Sequence, residues 1–209
     1  MIISPGRRFI FVHIPKTGGT SMALALEARA HRDDILIGDT PKARKRRARV
    51  EKIVAPGRLW KHSTLEDIKG VVPLEGMCVF CLVRNPWDRM VSYYHWLQGQ
   101  SFDHPAVGLA QRLGFADFMR HPFNVKVLRD WPYGRYVTVG GKERCDLFIR
   151  LEHLREDWAP LVDHLGFEPE IGHANRSERG EYRGYYDDAL AEWVEGIFRT
   201  DIDRFGYTF

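Results

Sequence analysis

Two stretches of this 209-residue chain place reactive side chains at telling intervals. The first is His13-Ile-Pro-Lys-Thr-Gly-Gly-Thr-Ser21. Gly18 and Gly19 allow a tight turn over a bound group. A helix capped by Thr20 or Ser21 would then offer backbone N–H groups and a partial positive charge, which suit phosphate or sulfate. Lys16 adds a full charge, and Thr17, Thr20 and Ser21 add hydroxyl donors. A bare Gly-Gly pair would read as an ordinary turn between strand and helix. A lysine and three hydroxyls around it favour anion binding. The GxxxxGK[ST] order of a Walker A loop is absent, which demotes ATP or GTP hydrolysis.

The second stretch is Val83-Arg-Asn-Pro-Trp-Asp-Arg-Met-Val-Ser-Tyr-Tyr94. Arg84 stands at the carboxyl end of a predicted strand, where open α/β sheets bind ligands. Ser92 follows two helical turns later. An arginine fork and a serine hydroxyl can share one phosphate. By itself the stretch fits equally well a strand-end arginine paired with a carboxylate and a serine on a solvated face.

These side chains need elements to hold them. Residues 9–14 form a short β-branched and aromatic run ended by Pro15, so the first strand is expected at Arg8 or Phe9. Residues 22–27 read as the helix after the glycine turn, and residues 35–37 as a short strand. Residues 77–83 are an apolar strand. Asn85 as N-cap and Pro86 at the first position open a helix, with Trp87, Met90, Val91, Tyr94 and Leu97 along one side. Residues 114–121 read as a helix and 146–151 as a third strong strand. A helix is expected over 152–165, ended by Gly166, then a polar loop over 173–183 and a closing helix over 187–199. Strands alternating with helices predict an α/β fold: one three-layer domain with a mostly parallel central sheet and helices on both faces.

Composition narrows the partners. Apolar residues make up 44% and charged residues 28%, a globular balance that excludes a largely disordered chain. Net charge is only +3, too little for bulk attraction to nucleic acid. Three cysteines, Cys78, Cys81 and Cys145, are too few for a disulfide framework. The Cys78–Cys81 CxxC lies inside an apolar strand with no companion pair, which points to buried structural thiols rather than zinc. No run reaches the ~20 apolar residues of a membrane span, and no cleavable leader is visible. A soluble, cytoplasmic protein under reducing conditions is expected, with no anchor or stem. Six of the eight residues 42–49 are basic. They read as a solvated helix face, the other reading being a contact for an acidic acceptor. Phe102, Trp131, Tyr133 and Tyr136 fall in a poorly legible region and either stack on sugar rings or pack.

Taken together, the two stretches resemble the signatures of sulfotransferases that use 3′-phosphoadenosine-5′-phosphosulfate (PAPS). The resemblance is closest to the carbohydrate branch that includes heparan sulfate 2-O-sulfotransferase. Weaker matches extend to Ile149-Arg-Leu-Glu-His-Leu154, Asn175-Arg-Ser177 and Asp203-Arg-Phe-Gly-Tyr207, while residues 30–60 and 99–140 match loosely. The resemblance implies a P-loop-like domain related to nucleotide kinases, filling residues 1–209. It implies that Lys16, Thr17, Gly18, Gly19, Thr20 and Ser21 hold the 5′-phosphosulfate and that Arg84 and Ser92 hold the 3′-phosphate. Ser177 and Arg179 would complete the site by a looser match. The product is PAP, no metal is required, and the acceptor is a hydroxyl, on a glycan in that branch.

Sulfuryl transfer needs a proton acceptor and a cation at the leaving phosphate oxygen. Lys16 is the candidate cation. Of nine histidines, His62 lies between the two stretches, where the resembling branch keeps its base, and His95 is the reserve. His13 can pack; His153 and His164 fall in a surface helix, and His31 and His121 in polar stretches. Lys61 and Glu152 flank the chemistry, the latter expected to fix Arg150 or a helix end. Two other classes stand beside this reading: a nucleotide-kinase-like phosphoryl transferase, and a non-catalytic anion- or glycan-binding module.

Overall fold

The computed structural model describes residues 1–172 and 180–209. Its chain divides into two compact units, residues 1–83 with 133–175 and residues 84–132 with 176–209.

The first unit is built on a five-stranded sheet. Its strands are β1 (Ile2–Ser4), β2 (Phe9–Val12), β3 (Ile35–Leu36), β4 (Cys78–Val83) and β7 (Leu147–Arg150), in the order β3-β1-β2-β4-β7. The β2–β4 and β4–β7 pairs are parallel, and β1 runs antiparallel to both β2 and β3. Only β1 therefore opposes the common direction, and the sheet is mostly parallel as expected. A separate hairpin pairs β5 (Thr138–Val139) with β6 (Lys142–Glu143). Gly140 and Gly141 turn it at φ 56° and 74°, a left-handed pair that side-chain-bearing residues avoid.

The alternation of strand side chains explains what covers the sheet. Phe9 and Phe11 of β2, Phe80 and Leu82 of β4 and Ile149 of β7 share one face. They pack with Met22, Ala23 and Leu26 of the Gly19–Ala28 helix and with Leu161 and Leu165 of the Ala159–Leu165 helix. The alternate residues Ile10, Val12, Val79, Cys81 and Val83 are buried as well. Central strands buried on both faces are the mark of a parallel α/β sheet.

The basic run forms two short helices, Pro41–Lys45 and Arg47–Val50. Lys42 donates to the Glu27 carbonyl, Arg46 to those of His31 (2.7 Å) and Asp34 (3.4 Å), and Arg49 to that of Arg32. Half of the run thus ties these helices to the end of the Gly19–Ala28 helix and the segment that follows it. Thr40 caps the first of them and donates to the buried Glu27 carboxylate.

Three expectations need correction. The first strand is Ile2–Ser4, not residues from Arg8 or Phe9; Pro5-Gly6 reverses the chain, and the Arg8 N–H donates to the Pro5 carbonyl at 3.3 Å. The helix after the glycines begins at Gly19, with left-handed Gly18 as N-cap and no side-chain cap. Residues 152–165 are three pieces, Leu151–His153, Leu154–Asp157 and Ala159–Leu165: His153 leaves helical backbone at φ −117°, ψ 30°, and Pro160 has no N–H to carry the ladder across the second break.

The second unit is helical. Its main helices are Pro86–Gln98, Pro105–Arg112, Phe115–Arg120, Pro122–Arg129 and Asp188–Phe205. Trp87, Met90, Val91, Tyr94 and Leu97 face its core with Phe118, Met119, Val194 and Phe198. Three of these helices start with proline, whose missing N–H costs nothing there. Their N-caps are Asn85, His104 and His121, the two histidines accepting through Nδ1 from Ala106 (3.2 Å) and Phe123 (3.3 Å). The closing helix runs past residue 199, bends at Phe198 and stops at left-handed Gly206. No helix of the described residues is long and apolar enough to cross a membrane.

Candidate functional site

The anion-loop candidate leaves the end of β2. His13 and Ile14 are buried, and the chain then turns through Lys16 at φ 66° and Gly18 at φ 83°. Left-handed residues interleaved with others turn successive N–H groups inward and make a concave anion seat. A lysine in that region is sterically strained and persists where its surroundings demand it. The two glycines are required for different reasons. A Cβ on Gly18 would stand 2.9 Å from Leu151 Cδ1, on a backbone that disfavours any side chain. A Cβ on Gly19 would fall 2.0 Å from His13 Cδ2 and 2.4 Å from its Nε2. The Thr17 hydroxyl is buried and donates to the Ile14 carbonyl at 2.9 Å, closing the turn. Lys16, Thr20 and Ser21 are half-buried. The first turn of the Gly19–Ala28 helix carries no acidic residue, so its positive end is not neutralised locally.

His62 is brought to this loop by a tightly held segment. Buried Ser63 accepts from the Trp60 N–H at 2.9 Å, and Thr64 donates its N–H to Asp67 at 2.7 Å. The Leu65 N–H reaches the Tyr136 carbonyl at 2.9 Å. His62 Nδ1 then lies 2.7 Å from the carbonyl oxygen of His13. A carbonyl only accepts, so Nδ1 carries the proton and Nε2 keeps the lone pair of the neutral ring. Burial lowers the His62 pKa to about 4, against the His13 carbonyl, which raises it; Lys61 and the Met1 amino group push it down further, and Asp39 opposes them. His13 is held well below its usual value, first by burial and then by the Met1 amine, His62, Lys61 and Lys16. Both rings are neutral at pH 7. The His62 ring meets His13 edge-on at 4.7 Å and Trp60 at 5.0 Å. Lys61 pairs with Asp39 at 2.7 Å.

Several other histidines have structural duties. His104 and His121 cap helices. His153 pairs with Glu156 at 2.8 Å, and His164 donates to the Arg7 carbonyl at 2.9 Å. The reserve candidate His95 bonds the Tyr185 hydroxyl at 2.8 Å and packs edge-on against Tyr94 and Tyr185.

In the second unit Arg84 lies just beyond β4. It points Nε and Nη2 at Asp88 Oδ2, 2.9 and 2.6 Å away. Asp88 orients the guanidinium plane, and the i, i+4 spacing was the available signal for it. Buried Ser92 stands one turn beyond Asp88 on the same helix. Arg150 is gripped by Asp157 through Nε and Nη2, both at 2.8 Å, a partner the sequence reading did not name. Tyr133 and Tyr136 are buried, Trp131 packs on Tyr93 at 5.0 Å, and Phe102 is exposed. Ser177 and Arg179 lie outside the described residues. Among the described residues, no three His, Cys, Asp or Glu side chains gather as a metal-ligand set.

Residues 1–208 match the sulfotransferase family, and the chain belongs to that family. Among solved structures, it is similar in fold to the crystal structure of mouse sulfotransferase SULT7A1 complexed with PAP. The TM-score is 0.53 at 17% identity, over 96% of this chain and 85% of that one. No curated protein matches.

Proposed function

We propose that the protein moves the sulfuryl group of PAPS to an acceptor hydroxyl on a carbohydrate, with His62 as base and Lys16 at the leaving phosphate. Family membership supports sulfuryl transfer. The single observation that carries the assignment of the base is the 2.7 Å bond from His62 Nδ1 to the His13 carbonyl, which leaves Nε2 able to accept. The donor set suits an anionic donor: Lys16, an unneutralised helix start and two glycines that leave backbone uncovered.

His62 Nε2 takes the acceptor proton as the acceptor oxygen bonds to sulfur. The bond from sulfur to the 5′-phosphate oxygen breaks, and the Lys16 ammonium offsets the charge left on that oxygen. The N–H groups of Thr17 to Ser21 hold the 5′ end. Arg84 and Ser92 are assigned to the 3′-phosphate, with Asp88 orienting the fork. Ser177 and Arg179 are assigned by resemblance alone. A carbohydrate acceptor is supported by Trp60, 42% exposed beside His62 with the Arg58 guanidinium 5.6 Å from its ring centre. An exposed indole suits a sugar face, and a cation suits an acidic group on it.

Calorimetry tests the donor. PAP should bind at micromolar concentration and ATP far more weakly. Absence of heat and of any thermal shift with millimolar PAP would overturn the reading.

A further inference from the structure

His13 belongs to the loop motif in sequence, yet its side chain faces away from the role that the motif suggests. Its ring is buried between two parts of the proposed site. On one side it occupies the space a Gly19 side chain would need, with a built Cβ only 2.0 Å from Cδ2. On another it meets the His62 ring edge-on at 4.7 Å, while Phe11 stacks against it at 5.9 Å. Its own carbonyl fixes the His62 tautomer. One residue thus touches the start of the anion-loop helix and the base, and touches the base twice.

We infer that His13 is a positioning residue: its neutral ring is the spacer that sets His62 Nε2 relative to the loop beginning at Lys16. The inference rests on the proposed sulfotransferase site and adds to it a mechanical link between donor binding and base placement. The ring acts by volume, not as a second base. Burial, then the Met1 amine, His62, Lys61 and Lys16, hold its pKa down, while the carboxyl groups of Glu27 and Asp39 line the same cavity. The charged groups acting on His62 are the same Met1 amine and Lys61, which lower its pKa, and Asp39, the partner of Lys61, which raises it. Burial is the largest cause that disfavours the charged ring, so His13 stays uncharged at pH 7.

The contact offers a compensation test. Gly19 has no left-handed backbone, and the three atoms nearest an added Cβ all belong to the His13 ring, so that ring is the first obstacle to alanine there. Gly19→Ala alone should weaken PAP binding at least about tenfold, because the loop must move. His13→Ala alone should lower kcat about tenfold. It should also raise the His62 titration point, followed by NMR on histidine-labelled protein, and carry the acid limb of the rate profile upward. In His13→Ala/Gly19→Ala the new methyl group fills the vacated space, and PAP affinity should return to within about threefold of His13→Ala. His13→Gln, of similar volume and no charge, should recover most of the lost kcat.

Additive losses in the double variant would overturn the inference. So would an unmoved His62 titration in folded His13→Ala, or a His13→Gln protein as impaired as His13→Ala. The melting temperatures of the four proteins in the Gly19 cycle and the His62 titration need no ligand. Failure of wild-type protein to bind PAP would sink the donor reading, while these two readouts would still decide the His13 link.

Discussion

Arg84 directs two nitrogens, Nε at 2.9 Å and Nη2 at 2.6 Å, onto a single oxygen of Asp88 one turn into the following helix. The side chains are 14% and 20% exposed, so the pair is only partly screened by water. A guanidinium held by one edge presents a fixed plane to a phosphate. Asp88→Asn keeps the shape and weakens the grip. It should raise the Kd for PAP about three- to tenfold while leaving kcat at saturating PAPS close to wild type. Arg84→Lys should do worse, since an ammonium cannot make the two-point contact. Titration calorimetry with PAP separates the two.

Lys16 combines a charge with a strained backbone, and the two can be tested apart. Lys16→Gly accepts φ 66° without strain and removes the ammonium. Its melting temperature should stay within a few degrees of wild type, because relief of strain offsets the added freedom of the unfolded chain. Its kcat should fall by about 10² or more, since charge at the leaving oxygen is lost. A turnover unchanged in Lys16→Gly would remove the lysine from the chemistry.

His62 titrates near pH 4 in the folded chain, below the usual 6.5. The unfolded chain therefore binds more protons between those values, and stability falls as pH drops from 6.5 toward 4. His13 acts in the same direction. The Met1 amine, lowered from 8.0 to about 5, adds to them; urea unfolding at pH 7 and at pH 4.5 should show a loss at the lower pH of which about 2 kcal/mol is removed in His62→Gln. Bound PAP should raise the His62 titration point, since a nearby anion favours the charged ring. A titration point unmoved by saturating PAP would place the ring away from the donor.

Cys78 is pushed up to about 11 by burial, with Asp146 and Cys145 adding to it. At pH 8 only about a thousandth of such a thiol is ionised. Cys81 is fully buried, its sulfur 3.8 Å from that of Cys145. Iodoacetamide at pH 8 should therefore label Cys78 and Cys81 far more slowly in folded than in unfolded protein, as read by peptide mass spectrometry. Cys78 is half-buried, unlike the buried thiol expected from its strand, and its rapid labelling would contradict the raised pKa.

What could be read from the sequence follows from the range of the interactions involved. The strand, turn and helix around Gly18 and Gly19, the Asn85-Pro86 start and the Gly166 stop are local signals, and each names its element. Strand Ile2–Ser4 has three residues and exists through its pairing with β2 and β3, which no short window shows. Residues 99–145 break into short pieces whose N-caps include His104 and His121, outside the usual Ser, Thr, Asp and Asn set. The Pro160 break was legible in principle, since proline interrupts a helix from within. The role of His13 was not, because it depends on a contact with a residue 49 positions away.

The most direct measurement is transfer of label from radiolabelled PAPS to a panel of glycans, with wild type and His62→Gln in parallel. Wild-type protein should label at least one acceptor, and His62→Gln should lose about 10² or more in kcat while its PAP affinity stays within about threefold. Equal turnover by the two proteins would contradict the assignment of His62 as the base. Failure of wild type to label any acceptor in the panel, although it binds PAP, would contradict sulfuryl transfer to a carbohydrate.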